Sequence, residues 1–259
     1  MEQLDFVYAG DCLDFMDRLY SEQGACLDLI FADPPYNLAK NYTNYEDTLH
    51  DQTYLDWCNS WLERCVKLLK PTGTLFVLNL PKWTTHHAVL LNKHLYFRHW
   101  IVWDALSEPR GKIMPAHYSL LYYTASATQF TYNAPDSIYT FDQCLRTKCV
   151  TGSKRELAPK TEVSDIWYDV HRIKHKRDRD HHPCQLPEKL MERVISIASN
   201  EGNVVFDPFT GTGTTLVVAK RLGRHYLGAE LDDSYKAIAD AKLADVFAKR
   251  SSISKKVGK

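Results

Sequence analysis

Asp33, Pro34, Pro35 and Tyr36 are the residues of this chain whose types and order most directly suggest chemistry. They follow Leu29-Ile30-Phe31, a short apolar run of the kind that a parallel sheet buries on both faces. Asp33 then falls at the carboxyl end of a strand, where open α/β sheets place their ligands. Two prolines fix two successive φ angles and remove two N–H donors. The Asp33 carboxylate and the Pro34 carbonyl are thus expected as outward acceptors, with Tyr36 just behind them. Such a pair suits a flat substrate carrying an exocyclic amino group, its two N–H groups on the acceptors and its ring stacked on Tyr36. The same residues also describe a strand ending in a rigid turn, so a chemical reading needs a second centre.

That centre lies between residues 203 and 230. Asn203 to Phe206 predicts a buried strand running into Asp207-Pro208-Phe209-Thr210-Gly211-Thr212-Gly213-Thr214-Thr215. A helix from Thr215 to Leu222 follows, then a strand from Tyr226 to Ala229 that ends at Glu230. Strand, glycine-rich turn, helix, strand and acid form the nucleotide-binding unit of a Rossmann-like sheet. Gly211 and Gly213 let the backbone approach a ligand closely. Glu230 comes 17 positions after Gly213, suitably placed to receive both hydroxyls of a ribose. Leu216 stands where the dinucleotide fingerprint has its third glycine. A turn that need not cradle a pyrophosphate suits S-adenosylmethionine, which has a ribose and an amino-acid end but no phosphate.

The wording of both centres resembles one family. Asp33-Pro-Pro-Tyr36 is similar to the Asp/Asn/Ser-Pro-Pro-Tyr/Phe signature of DNA amino-methyltransferases, a motif also found in enzymes that methylate RNA bases or protein glutamine. Phe206 to Thr215 resembles the cofactor motif of the β-class DNA amino-methyltransferases. His182-Pro-Cys-Gln-Leu-Pro187 resembles the His-Pro-Thr-Gln-Lys-Pro stretch that precedes it there. Order agrees too, with the Asp-Pro-Pro-Tyr motif first and the glycine motif about 170 residues later; RNA and glutamine methyltransferases normally run the other way round. The resemblance implies that Asp33, Pro34, Pro35 and Tyr36 hold the target base. It assigns the cofactor to Asp207, Pro208, Phe209, Gly211, Gly213 and Glu230, its adenine to Asp11, and its methionine end to Thr214 and Thr215. His182 and Gln185 belong to the same wall. Cys184 and Leu186 replace the family's Thr and Lys, and Tyr118 stands where a Glu is expected. The implied reaction moves a methyl group from S-adenosylmethionine to N6 of a flipped adenine in DNA. Cytosine N4 presents the same amino geometry, although Ser-Pro-Pro-Tyr is commoner there. A DNA-binding subunit that keeps the fold without catalysis is a further alternative.

The elements that must position these residues alternate strand and helix. Leu4 to Tyr8 reads as a strand, and Cys12 to Leu19 as a helix with Asp11 as N-cap. Tyr54 to Leu69 is an amphipathic helix with Leu55, Cys58, Trp61, Leu62, Cys65, Val66 and Leu69 on one stripe, stopped by Pro71 and Gly73. Thr74 to Leu80, Phe97 to Trp103 and Tyr118 to Tyr123 read as strands, Gln129 to Tyr132 as a short one, and Thr84 to Leu95 as a helix. Ser107 to Pro115 is a turn-rich break, and helical spacing resumes at Pro187. The last helix runs from Asp233 to about Lys249. The fold expected is a doubly wound, mostly parallel α/β sheet in circularly permuted methyltransferase order, with one antiparallel edge hairpin.

Residues 1–133 and 181–250 form the catalytic domain in this reading, and 134–180 a target-recognition insertion. There periodicity fails, and Arg172, Lys174, Lys176 and Arg177 lie among tyrosines and tryptophan, as on a nucleic-acid face. The polar, tyrosine-rich stretch from Asn37 to Tyr45 is expected as a lid, and residues 251–259 as a basic, disordered tail. Balanced charge, 32 basic against 32 acidic residues, neither favours nor excludes DNA, because binding needs a patch and not a total. Seven scattered cysteines suit reduced thiols. Cys144, Cys149, His181, His182 and Cys184 are spaced too loosely for a zinc knuckle, and no metal is expected. No apolar run approaches a membrane span, and Met-Glu-Gln-Leu-Asp does not read as a signal peptide, so the expected location is cytoplasmic. Partners considered are DNA, a second copy in a homodimer, and a cognate restriction endonuclease.

Overall fold

The computed structural model describes residues 4–40, 45, 47–104, 117–134, 163–171, 173 and 185–246. His182, Arg172, Lys174, Lys176 and Arg177 lie outside them, as do His181, Cys144, Cys149 and Cys184, the break at 107–115 and the tail. Eight strands form one sheet: β1 (Phe6–Ala9), β2 (Leu27–Ala32), β3 (Leu69–Asn79), β4 (Tyr96–Asp104), β5 (His117–Thr124), β6 (Ile166–Trp167), β7 (Val204–Asp207) and β8 (His225–Glu230). Their order is β1-β8-β7-β2-β3-β5-β4-β6. All paired neighbours are parallel except at β5, which runs antiparallel between β3 and β4. The expected hairpin is β4–β5, and it is not the edge, because the two-residue β6 pairs with the outer side of β4.

Among the described residues six helices cover both faces: α1 (Cys12–Gln23), α2 (Asp51–Leu68), α3 (Pro81–Leu91), α4 (Glu188–Ala198), α5 (Thr214–Arg221) and α6 (Asp233–Asp245). Strand β2 shows how the sequence produces two layers. Ile30 and Ala32 point into a core shared with α1, α2 and α3, while Leu29 and Phe31 point into the core under α4, α5 and α6. Side chains that alternate across a pleat can be apolar throughout only when both faces are covered. Each such fully buried Leu, Ile or Phe contributes about 1.5–3 kcal/mol.

Three local expectations need correction. Pro71 and Gly73 do not separate helix from strand, because β3 starts at Leu69, directly after α2. The register of β2 on β3 shifts between Leu27–Leu69 and Leu29–Thr74, so these residues occupy an irregularity within the strand. A bulge tolerates Pro, and a Cβ at Gly73 would come within 3.0 Å of the Leu27 and Lys70 carbonyls. The buried stripe of α2 keeps the expected Cys58, Trp61, Leu62 and Cys65 and adds Tyr54 and Leu68, while Leu55 and Val66 are only half-buried. Residues 129–132 form no strand; the segment is held instead by Asn133, whose Nδ2 donates to the Ser196 and Ser199 carbonyls at the end of α4. From the 134–180 segment, β6 and Val170 join the sheet core. Arg193 of α4 fastens this piece through Asp169, at 2.9 and 2.5 Å.

Candidate active site

The carboxyl ends of β1, β8, β7 and β2 are neighbours in the sheet, and each is followed or ended by an acid: Asp11, Glu230, Asp207 and Asp33. With strands spaced about 4.8 Å apart, the four acids span a row of roughly 14 Å. The chain leaves β7 through α5 towards β8, and leaves β2 through α2 towards β3. These two adjacent strands therefore mark the point where the winding reverses, and the crevice there is where such sheets bind ligands. A cavity of about 160 Å³ occupies it.

Fourteen of the residues expected at the site from sequence are described, His182 and the four basic residues of the recognition segment lying outside them, and thirteen of the fourteen line this cavity: Asp11, Asp33, Pro34, Pro35, Tyr36, Gln185, Asp207, Pro208, Phe209, Gly211, Thr214, Thr215 and Glu230. Gly213 does not. It starts α5 at φ 85°, and a Cβ there would lie 2.8 Å from that of Ala239 on α6. Its part is the close helix packing that fingerprint motifs give to a later glycine. Cys12, Tyr45, Trp57, Leu231, Asp232 and Tyr235 also line the cavity and were missed. Trp57 carried a usable signal, a large aromatic on α2 off the helix's buried stripe. Asp11 lines the cavity and is also the N-cap of α1, its Oδ1 accepting from the Leu13 N–H at 2.6 Å.

Glu230 is already oriented for a ligand. One oxygen accepts from the Gly211 N–H at 2.7 Å and the other from the Asp232 N–H at 2.9 Å. Burial raises its carboxyl above the ordinary value while these bonds oppose it. Asp207 lies beside it, its Oδ1 accepting from the Phe209 N–H at 2.9 Å. Burial first, then the Glu230 charge, pushes Asp207 up to about 7 against the Thr215 hydroxyl and the Phe209 N–H. Asp33 is pushed up to about 8 by burial, with Asp207 adding and the Tyr36 hydroxyl opposing. Cys12 is held as a thiol by burial, which raises it far above the ordinary range.

The Asp33–Tyr36 turn has the acceptors the sequence called for. The Tyr36 hydroxyl donates to Asp33 Oδ1, in a bond that the sequence did not assign. The Pro35 carbonyl accepts from Tyr54 at 2.6 Å and the Tyr36 carbonyl from the Trp83 indole at 2.9 Å. Among the described residues, no donor is bonded to the Pro34 carbonyl. The Tyr36 ring sits 5.5 Å from that of Tyr118, which stacks in turn on Trp103 at 5.4 Å. Tyr118, in place of an expected Glu, thus extends the aromatic surface behind Tyr36. The following loop is clasped by Asp47, whose carboxylate takes the N–H groups of Asn37, Leu38 and Lys40 at 2.7–3.0 Å.

The described lining holds five carboxylates (Asp11, Asp33, Asp207, Glu230 and Asp232) and no Lys or Arg. Such a cleft opposes phosphates and favours a ligand bearing positive charge beside a ribose. This donor set fits S-adenosylmethionine, a sulfonium without phosphate. A doubly wound sheet with a glycine-turned crevice and a ribose-binding acid at its reversal point is the Rossmann-like nucleotide-binding arrangement, and a described lining without Lys or Arg places this one with the S-adenosylmethionine-dependent methyltransferases.

Comparison with known proteins narrows the class. Residues 27–241 match the DNA methylase family of N6 and N4 methyltransferases, and the chain belongs to that family. It is 39% identical over 231 residues to the Type II methyltransferase M.BamHI of Bacillus amyloliquefaciens, covering 87% of this chain and 54% of that protein. It is 34% identical over 241 residues to the Type II methyltransferase M.HpaI of Haemophilus parainfluenzae, covering 91% and 74%. The DNA adenine methyltransferase YhdJ of Escherichia coli is 28% identical over 243 residues, covering 87% and 78%. The chain thus spans about half the length of M.BamHI. Among solved structures, the fold matches an M1.HpyAVI–SAM complex at TM-score 0.66 and 20% identity, covering 92% of this chain and 98% of that one. It matches the cytosine-N4-specific PvuII DNA methyltransferase at TM-score 0.67 and 15% identity, covering 95% and 92%. No described helix is long and apolar enough to cross a membrane.

Proposed function

We propose that the protein methylates the exocyclic amino group of a flipped base in DNA, adenine N6 first, using S-adenosylmethionine. The observation that carries this reading is the Asp33–Pro34 acceptor pair at the end of β2, beside the acid row of β7, β8 and β1. Bound there, the cofactor supplies an electrophilic methyl on sulfur. Glu230 holds the ribose hydroxyls, Asp11 the adenine, and Asp207 with the Gly211 turn the remainder. Asp33 and the Pro34 carbonyl each accept one N–H of the target amine. An arylamine nitrogen is a poor nucleophile because its lone pair is delocalised into the ring. Drawing both N–H bonds towards fixed acceptors favours the pyramidal nitrogen and its developing positive charge. Once the nitrogen–carbon bond has formed and the carbon–sulfur bond has broken, Asp33, with its raised pKa, is placed to take the surplus proton.

Adenine is favoured by the Asp in Asp-Pro-Pro-Tyr and by the likeness to YhdJ; cytosine N4 is the second reading, favoured by the likeness to the PvuII enzyme. A duplex hides either amine, so the base must be flipped out and stacked, with Tyr36 as platform. Arg172, Lys174, Lys176 and Arg177 are proposed to contact DNA phosphates. The Type II names of M.BamHI and M.HpaI suggest a partner endonuclease reading the same sequence. Asp33→Ala tests the reading. Methyl transfer should slow, its activation free energy rising by roughly 3–4 kcal/mol, taking one acceptor as worth one oxyanion-hole donor. S-adenosylmethionine binding should stay within a few-fold, and full turnover would reduce Asp33 to a turn residue.

A further inference from the structure

A chain of buried polar side chains stands behind the Asp33–Tyr36 turn and does not line the cavity. Tyr54 on α2, Asn79 at the end of β3 and His87 on α3 are all fully buried. Asn79 Oδ1 accepts from the Leu80 N–H at 2.7 Å, which fixes the amide's orientation. Its Nδ2 then reaches the Tyr54 hydroxyl at 3.1 Å and His87 Nε2 at 3.1 Å. His87 can accept at Nε2 only as a neutral ring protonated on Nδ1, and burial, pushing it down to about 3, keeps it neutral. Asn79 thus donates to the Tyr54 oxygen, which leaves the Tyr54 proton for the Pro35 carbonyl, 2.6 Å away. One residue further on, the Trp83 indole takes the Tyr36 carbonyl, and the Trp83 and Tyr54 rings lie 4.6 Å apart.

An apolar core would fill this space without three polar groups to satisfy, and here the buried His87 Nδ1 finds no partner among the described residues, a cost the chain bears. The outlet of the chain is the one peptide plane between the amine acceptors and Tyr36. Ring closure fixes φ at Pro34 and Pro35, so the turn's remaining freedom lies mainly in ψ. Pinning the Pro35 and Tyr36 carbonyls removes that freedom from behind. We propose that Tyr54, oriented by Asn79 and His87, is a positioning residue that holds the Pro34 carbonyl and Asp33 in place for the target amine. The inference rests on the methyltransferase reading above.

The test is Tyr54→Phe, which removes one oxygen and keeps the ring. A displacement of about 1 Å at reacting groups can cost roughly a hundredfold in rate. At saturating S-adenosylmethionine and DNA, well below the melting temperature, kcat should fall roughly 10- to 100-fold. Cofactor affinity by calorimetry should stay within about twofold, because no cofactor-lining residue is touched. A residue that only stabilises the fold would lower the melting temperature and leave kcat of the folded enzyme unchanged. That result, with wild type active, overturns the positioning role and leaves the methyltransferase reading standing. Wild type that binds the cofactor and leaves DNA unmethylated overturns both. If Tyr54→Phe does not fold, Trp83→Phe removes only the second pin and carries the same expectation, with unchanged kcat again overturning it.

Discussion

Tyr36→Phe separates the ring of this residue from its hydroxyl. The hydroxyl donates to Asp33 Oδ1 and is one of the influences that hold the Asp33 carboxyl down against burial and Asp207, with the balance at about 8. A hydrogen bond to a charged group is worth about 1.5–3 kcal/mol, and 1.36 kcal/mol corresponds to one pKa unit. Phe should therefore move Asp33 further up. At pH 7.5 about a quarter of wild-type Asp33 is ionised, and a far smaller fraction in the variant. Only the ionised form is free to accept from the amine without donating. The expected loss at pH 7.5 is thus about 10- to 100-fold. It should shrink as pH rises towards 9.5, because the Phe ring still offers a stacking face beside Tyr118. The assay is kcat/KM for S-adenosylmethionine against pH, which reports the free enzyme before the sulfonium charge stabilises the carboxylate. Activity should rise through about pH 8 in wild type and through a higher value in the variant. Superimposable profiles would refute the reasoning and leave the ring as the whole of Tyr36's contribution.

Glu230→Gln keeps size but replaces one of the two acceptor oxygens with a donor facing a backbone N–H. Cofactor affinity by calorimetry should fall roughly 10- to 100-fold, and an unchanged value contradicts the ribose role. Asp207 makes the stability of the cofactor-free protein depend on pH. Its folded pKa, about 7, lies above the ordinary value of 3.8, so between these values the folded state binds more protons than the unfolded chain. Stability therefore falls as pH rises through this window. The melting temperature should drop between pH 5 and pH 8, and Asp207→Asn should reduce that slope, leaving the parts due to Asp33 and Glu230 against the opposing part of His87, whose lowered pKa favours the folded state as pH rises towards 6.5. Equal slopes in the two proteins would contradict the assignment.

Where chemistry and fold used the same residues, the sequence could be read. Leu29 to Phe31 signals a strand by being apolar on both faces, and Asp33 is where it must end. Asp207 and Glu230 end β7 and β8 in the same way, so three of the four acids were placed by strand ends alone. Side chains that arrive from distant elements left no local signal beyond the off-stripe position of Trp57 on α2. Trp57 and Tyr235 reach the cavity because α2 and α6 pass beside it, a consequence of sheet order and not of neighbours in sequence. Gly213 packs against Ala239 and does not line the cavity, a placement that a glycine in such a turn does not announce in sequence. Pro71 and Gly73 misled because a bulge inside a strand uses the residues that usually end one. The Tyr54–Asn79–His87 chain joins positions 54, 79 and 87, each of which reads alone as an ordinary helix or strand residue.

The most direct test is to incubate the purified protein with DNA and S-adenosylmethionine carrying a labelled methyl group, digest the DNA to nucleosides, and identify the labelled product by mass spectrometry. The account predicts label in N6-methyladenine and none elsewhere. Label in N4-methylcytosine would contradict the choice of base while keeping the acceptor pair. Unlabelled DNA, from protein shown to bind the cofactor, would contradict the reaction itself.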